Sequence, residues 1–333
     1  MAENYSGKYW VGFDLGGTKM QAILFDSKLK PKDSERRKTK GQEGAKAGVD
    51  RIIETISRIL ERAGIPKDRL AGIGVGVPGP LDLERGILLE SANLGWKDVT
   101  LKDDLEKAFG CQAVIINDVD AGVYAEYRFG AAKKARCAIG VFPGTGVGGG
   151  CVYEGKILRG KKNSCFEFGH CQVQPGGALC GCGQRGCLET LASRLAISAA
   201  AAQAALRGEA PNLLRIAGGA NLAEIRSRAL AESIKAGDKA VERIVKDAAE
   251  WLGVGISIAV SLIAPDVVVL GGGLVEAMPE LLRSEVEEAA RSHTMRSMRN
   301  SFEVVEAELG DDATATGAAA WAQRSITGEE PKD

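Results

Sequence analysis

The chain carries no excess of charge of either sign, since 43 Lys and Arg stand against 44 Asp and Glu, for a formal net charge of -1. That balance removes the electrostatic reason to expect nucleic acid or an anionic membrane as a partner. Long apolar runs are also missing. The longest, Trp251 to Ala264, is too short to span a bilayer and is closed by Pro265-Asp266. The segment Met1 to Lys8 is short and polar and lacks the basic-then-apolar pattern of a secretory signal. These absences together predict a cytoplasmic protein whose eight cysteines are mostly reduced. No solenoid-period repeat is visible. Neither glycine-rich loop ends in Gly-Lys-Ser or Gly-Lys-Thr, so the one-loop phosphate signature is excluded.

What remains is an ordinary globular composition, 45% hydrophobic and 26% charged, over 333 residues, a length that favours two domains. Tyr9 to Phe13 and Met20 to Phe25 read as strands flanking Asp14-Leu15-Gly16-Gly17-Thr18-Lys19, which places that turn in a hairpin. The plan recurs about 130 residues later, where Cys137 to Phe142 and Cys151 to Tyr153 flank Gly144-Thr145-Gly146-Val147-Gly148-Gly149-Gly150, as in an internal duplication. Because strand rather than helix follows Gly150, the dinucleotide fingerprint fails. Two such turns offer backbone N–H groups and threonine hydroxyls to phosphate oxygens, or are simply tight hairpins.

Further strands are expected at Leu70 to Val77, Ala113 to Ile116 and Val267 to Leu270. Helices are expected at Gly48 to Ala63, Ala121 to Arg128, Ala196 to Leu206, Lys239 to Ile263 and Ala313 to Arg324. The charges of Lys28 to Lys46 read as a solvated loop, and His293 as a surface residue. Asp14 either holds a hydrated magnesium ion or caps the turn. Gly271-Gly272-Gly273 either lets the chain approach an adenosine or makes a plain turn. Asn117-Asp118, at a strand's C-terminal end, either orients and deprotonates a hydroxyl or caps the following helix, with Asp120 a rival cap.

His170, Cys180, Cys182 and Cys187 follow the pattern His-x9-Cys-x-Cys-x4-Cys. Three thiolates and an imidazole suit tetrahedral zinc with no open position, hence a structural site. Cys111, Cys137, Cys151, Cys165 and Cys171 read as small core residues. Glu167 and Glu189 bracket the metal element, either as acceptors for vicinal hydroxyls or as solvated carboxylates.

In order, Asp14 to Lys19, Val77-Pro-Gly-Pro80, Asn93-Leu-Gly-Trp96, Asn117-Asp118, Gly144 to Gly150, Glu167-Phe-Gly-His170 and Cys180 to Glu189 resemble the ROK family of sugar kinases and repressors, over about Val11 to Trp321. Pro143, where that family more often has a small or aliphatic residue, is a departure. The resemblance implies an α/β, two-domain actin-like ATPase (ribonuclease H-like) fold with a central cleft. The smaller domain would take 1–119 plus about 312–333, and the larger 120–311, with the zinc element at 170–187. It implies ATP-dependent phosphorylation of a hexose at its C6 hydroxyl, glucose foremost. N-acetylmannosamine, N-acetylglucosamine or fructose are alternative acceptors.

By the same resemblance Asp118 is the base, and Gly79, Asn93, Asn117, Asp118, Glu167, His170 and Glu189 bind sugar. Asp14, Gly16, Gly17, Thr18, Lys19, Thr145, Gly146 and Gly272 bind the nucleotide with magnesium. His170 would serve zinc with one ring nitrogen and sugar with the other. A homodimer or homotetramer is implied. A sugar-sensing regulator is the rival of another class, but a first strand at Tyr9 leaves no room ahead of it here for a helix-turn-helix.

Overall fold

The computed structural model describes residues 5, 7–91, 93–161 and 164–328; the ends of the expected ranges at Met1 and 329–333 lie outside these. The chain opens with β1 (Tyr9–Leu15), β2 (Lys19–Phe25) and β3 (Pro31–Lys38), then α1 (Ala45–Ala63) and β4 (Leu70–Val77). There follow β5 (Leu81–Asp82), β6 (Ile87–Ser91), β7 (Trp96–Val99), α2 (Leu101–Phe109), β8 (Gln112–Asn117) and α3 (Asp118–Phe129). Next come β9 (Cys137–Pro143), β10 (Val147–Tyr153), β11 (Lys156–Ile157), α4 (Glu189–Ala192), α5 (Arg194–Leu206), α6 (Pro211–Ala217), α7 (Ser227–Lys235) and α8 (Lys239–Ile263). The chain closes with β12 (Val267–Leu270), α9 (Gly273–Ala277), α10 (Pro279–His293), β13 (Glu303–Glu306) and α11 (Ala313–Thr327).

These elements form two compact units. Unit 1 holds 1–134, 151–166 and 308–333, and unit 2 holds 135–150 and 167–307. The division after 134 differs from the expected one after 119, because α3 packs along α11 within unit 1. Glu126 of α3 fixes that arrangement. Fully buried, it accepts N–H bonds from Ala131 (2.9 Å), Glu308 (2.9 Å) and Leu309 (2.8 Å), so its charge is met by backbone dipoles rather than by a cation.

Unit 1 is built on a sheet of order β3-β2-β1-β4-β8, with β1, β4 and β8 parallel and β1-β2-β3 an antiparallel meander. A strand such as Trp10-Val-Gly-Phe13, apolar on both sides, suits a sheet covered on both faces. On one face lies α1, whose Ile52, Ile56 and Ile59 recur at helical spacing and are fully buried. Against the other lies α11, at backbone distance. A Cβ on Gly74 would meet the Ala318 carbonyl oxygen at 1.9 Å, and one on Gly317 would meet that of Ala121 at 1.7 Å.

Lys28 to Lys46 is not a loop. It contains β3, an edge strand whose charges face opposite charges on α1: Asp33 and Glu35 contact Arg62 (2.7 and 3.1 Å), and Arg37 contacts Glu54 (2.8 Å). Such exposed pairs add little stability, but charge along an edge keeps it from templating another strand.

In unit 2, β10, β9, β12 and β13 lie in that order, with β9, β12 and β13 parallel. This repeats the β2-β1-β4-β8 order of unit 1, as an internal duplication requires. β10 runs on into residues counted with unit 1, where Val152 and Tyr153 pair with β11. Among the described residues no helix is long and apolar enough to cross a membrane.

Candidate functional site

In unit 1 the expected hairpin is present, with Leu15 opposite Met20 around the Gly16-Gly17-Thr18 turn. Thr39 pins this turn, donating its Oγ1 hydroxyl to the Gly16 carbonyl (2.6 Å) and its N–H to the Thr18 carbonyl (2.9 Å). Gly16 has no room for a side chain, since a Cβ would lie 2.7 Å from the Lys19 carbonyl oxygen. The exposed face of Gly17, Thr18 and Lys19 is thereby held in one shape. Asn93 sits beside it, with its Cβ 3.2 Å from where a Cβ of Gly17 would be. Gly79, at φ +107°, is required by its turn, because a side chain there would strike the Glu90 carbonyl oxygen at 2.4 Å.

At the C-terminal end of β8, Asn117 caps α3, and its Oδ1 accepts from the N–H groups of Val119 (2.9 Å) and Asp120 (3.1 Å). The cap occupies only the carbonyl oxygen, so the side-chain amide still has two donors for a ligand. Asp120, the alternative cap, is instead buried at 2% exposure and accepts from the Ser164 hydroxyl. Asp118, half-buried, is the first residue of α3; its Oδ1 accepts from Val119 N–H (3.0 Å) and its carbonyl from Thr314 Oγ1 (3.3 Å).

Asp14 ends the charge-free run of β1. Burial, reinforced by the carboxylates of Asp118 and Asp311, pushes its carboxyl up to about 7, against the opposing pull of Arg36. A buried carboxylate raised by a neighbouring carboxylate marks a place where a hard cation would relieve repulsion, and the donor set fits a magnesium ion that keeps most of its water.

In unit 2 the second glycine turn, the zinc-type element and the acidic residues are one structure. Phe168–His170 is a single 3-10 turn laid on β10, and a Cβ on Gly169 would lie 2.2 Å from the Val147 carbonyl oxygen. Gly146 faces the Glu189 carboxylate as closely, at 2.2 Å. That carboxylate accepts from Val147 N–H through Oε2 (3.1 Å), and its Oε1 lies 3.8 Å from Cys180 Sγ. Glu167 is exposed. Gly272, at φ +82°, comes within 3.2 Å of the Pro143 carbonyl oxygen, measured from an ideal Cβ, so the third glycine segment borders the second.

The ligand atoms of His170, Cys180, Cys182 and Cys187 all lie within 4.8 Å of one another. Cys182 and Cys187 sulfurs are 3.7 Å apart, and Cys180 Sγ is 3.6 Å from His170 Nδ1. A tetrahedral ion with ~2.3 Å metal–sulfur bonds spaces its ligands by about 3.8 Å, so the four residues fit one. With Nδ1 on the metal side, Nε2 of His170 is left for another partner. The Gln184 N–H draws the Cys182 thiol below its ordinary value, whereas burial pushes Cys187 up to about 12. Among the other cysteines Cys137 and Cys151 are buried, but Cys171, expected in the core, is exposed on the metal element.

Sequence reading missed Arg194. Its Nη2 donates to Thr145 Oγ1 (3.1 Å) and its N–H to the Gly144 carbonyl (2.8 Å). A signal was present: an arginine at the first position of a helix opposes the helix dipole. His293 is exposed and contacts Glu250 at 2.6 Å, apart from these groups.

A family model described as the ROK family matches residues 10–325. A glucokinase of Thermotoga maritima is 31% identical over 319 residues, 96% of this chain and 98% of that protein. A xylose repressor of Bacillus subtilis is 27% identical over 314 residues, 94% of this chain but 77% of the repressor. The crystal structure of a ROK family glucokinase from Streptomyces griseus, in complex with glucose and AMPPNP, superposes with a TM-score of 0.81 at 32% identity, covering 95% of this chain and 99% of that one.

Proposed function

The chain belongs to the ROK family, with its actin-like two-domain α/β fold, and is a sugar kinase; from that premise we propose that it transfers the γ-phosphoryl group of ATP to the C6 hydroxyl of glucose. The observation that carries the reading is Asp118 at the head of α3, its backbone held by the Asn117 cap and by Thr314. A carboxylate fixed at a strand's C-terminal end is suited to take a hydroxyl proton. As the C6 oxygen bonds to the γ-phosphorus and the bond to the leaving ADP oxygen breaks, the hydroxyl proton passes to Asp118.

The other assignments are part of the same proposal. Asn117 donates its free amide to the sugar, Gly79 and Asn93 add contacts, and Glu167, Glu189 and His170 Nε2 meet the vicinal hydroxyls. Gly16, Gly17, Thr18 and Lys19 hold donor phosphates, as do Thr145 and Gly146, and Gly272 admits the adenosine. Asp14 would hold Mg2+, which when bound neutralises phosphate charge. His170, Cys180, Cys182 and Cys187 would hold a structural Zn2+ that fixes the sugar-binding histidine. We further propose a cytoplasmic homo-oligomer at the entry of glucose into carbohydrate breakdown. The higher identity to the glucokinase relative, 31% against 27% for the repressor, favours this reading over a sugar-sensing regulator.

The test is ADP release from Mg-ATP with glucose, fructose, mannose, N-acetylglucosamine and N-acetylmannosamine, using zinc-loaded protein. Highest kcat/KM on glucose is expected. Turnover on another of these sugars alone would replace the acceptor, and silence on all five would remove the kinase assignment.

A further inference from the structure

Arg194 of unit 2 sits on the second glycine turn with Arg226 near it, and neither has an acidic counter-ion among the described residues. Arg194 is locked there by its two bonds to Gly144 and Thr145. One helical turn further on, Ser198 donates its buried hydroxyl to the Ile225 carbonyl (2.6 Å), which fastens the residue before Arg226 to the face of α5 that carries Arg194. Arg226 donates Nε to the Ala223 carbonyl (3.0 Å) and is otherwise exposed. Burial and the Arg226 charge together hold Arg194 below the ordinary guanidinium value. Several other arginines are matched by carboxylates: Arg62 with Asp33, Arg207 with Glu209, Arg228 with Glu232 and Arg291 with Glu287. A cation half-buried beside another cation costs free energy that only an anion can recover.

The anion these groups suit is a phosphate chain. A guanidinium presents a planar fork that matches phosphate oxygens, and Arg194 uses one arm on Thr145, leaving the rest of the fork free. We propose that Arg194 and Arg226 grip the phosphoric anhydride chain of the phosphoryl donor at the 144–146 turn, so that donor choice is set by chain charge as well as by the nucleoside. The ligand class rests on the kinase reading above. A nucleoside triphosphate and an inorganic polyphosphate share this chemistry, and the test separates them.

Binding of AMPPNP, inorganic tripolyphosphate, adenosine and glucose is measured by calorimetry on the zinc-loaded full chain, for the wild type, Arg194→Ala, Arg194→Lys, Arg226→Ala and the double alanine variant. Each lost charged contact should weaken the phosphate ligands roughly ten- to hundredfold. The double variant should also flatten the salt dependence. Adenosine and glucose affinities should stay at wild-type values, and Arg194→Lys should retain part of the binding. A loss confined to AMPPNP supports the clamp for nucleotides, and a loss confined to tripolyphosphate supports it for inorganic chains.

Because Arg194→Ala also frees Thr145, the exposed Arg226 reads charge without disturbing the turn. Wild-type affinity for both phosphate ligands in Arg226→Ala and in the double variant would overturn the proposal, as would an equal loss of adenosine. Clamp loss in the variants together with a wild type that phosphorylates no sugar would remove the kinase reading and keep the clamp. Sugar phosphorylation with unaltered donor binding in the variants would do the reverse.

Discussion

Glu189 is expected to serve the donor as well as the sugar, and the consequence can be measured. Its Oε2 accepts from the N–H of Val147, a residue only 6% exposed, and Gly146 faces the same oxygen too closely for any other side chain to intervene. Glu189→Ala removes the acceptor of a buried N–H and a bond to a charged group, together worth about 1.5–3 kcal/mol. Unit 2 should lose about 2 kcal/mol in stability, which is several degrees in melting temperature. The loosened 144–146 turn should raise the KM for ATP about tenfold, alongside a raised KM for glucose. Glu189→Gln restores an acceptor for Val147 but replaces one acceptor oxygen by a donor amide. Stability and the ATP KM should then return most of the way while the glucose KM stays high. Denaturant midpoints, zinc content and two-substrate kinetics on the three proteins decide the matter. Wild-type stability and ATP KM in Glu189→Ala would refute the coupling.

Three other expectations follow from the same structure. Asp14 has its folded carboxyl near 7 against an ordinary 3.8, so it contributes stability fully present below about 4 and lost as pH rises through 7. In magnesium-free buffer, the unfolding free energy from urea titrations should fall between pH 5 and pH 8 by up to about 3 kcal/mol, and Asp14→Asn should flatten that slope; an unchanged slope would contradict it. Glu126→Ala orphans three backbone N–H groups and should cost at least ~3 kcal/mol in thermal unfolding, and a near-wild-type melting temperature would show that the latch between α3 and the chain entering α11 is dispensable. Cys182→Ser should abolish zinc uptake measured by a chelator dye and weaken glucose binding through His170, and retained zinc would contradict the four-ligand site.

Much of the site was legible because its chemistry is local in sequence. The two glycine hairpins announce themselves by strand, turn and strand, and the His-Cys-Cys-Cys spacing anticipates a cluster whose ligand atoms close to within 4.8 Å. Alternation failed where partners are distant. Pro31 to Lys38 looks like solvated loop until Arg62, on α1, supplies the charges that face Asp33 and Glu35. The choice between Asn117 and Asp120 as cap needed geometry, since both types cap well and only the burial of Asp120 separates them. The short strands β5–β7 carry too few residues for a period to register. Arg194 meets Thr145 across 49 residues of sequence, a pairing no local pattern encodes.

The central claim is that Asp118 takes the proton of the attacking hydroxyl. Its most direct test is Asp118→Asn, an isosteric change that keeps an acceptor for Val119 N–H. Turnover with glucose and Mg-ATP should fall at least ~100-fold while calorimetric glucose binding stays within a few-fold of wild type. Undiminished turnover in a folded, zinc-loaded Asp118→Asn protein would contradict the account.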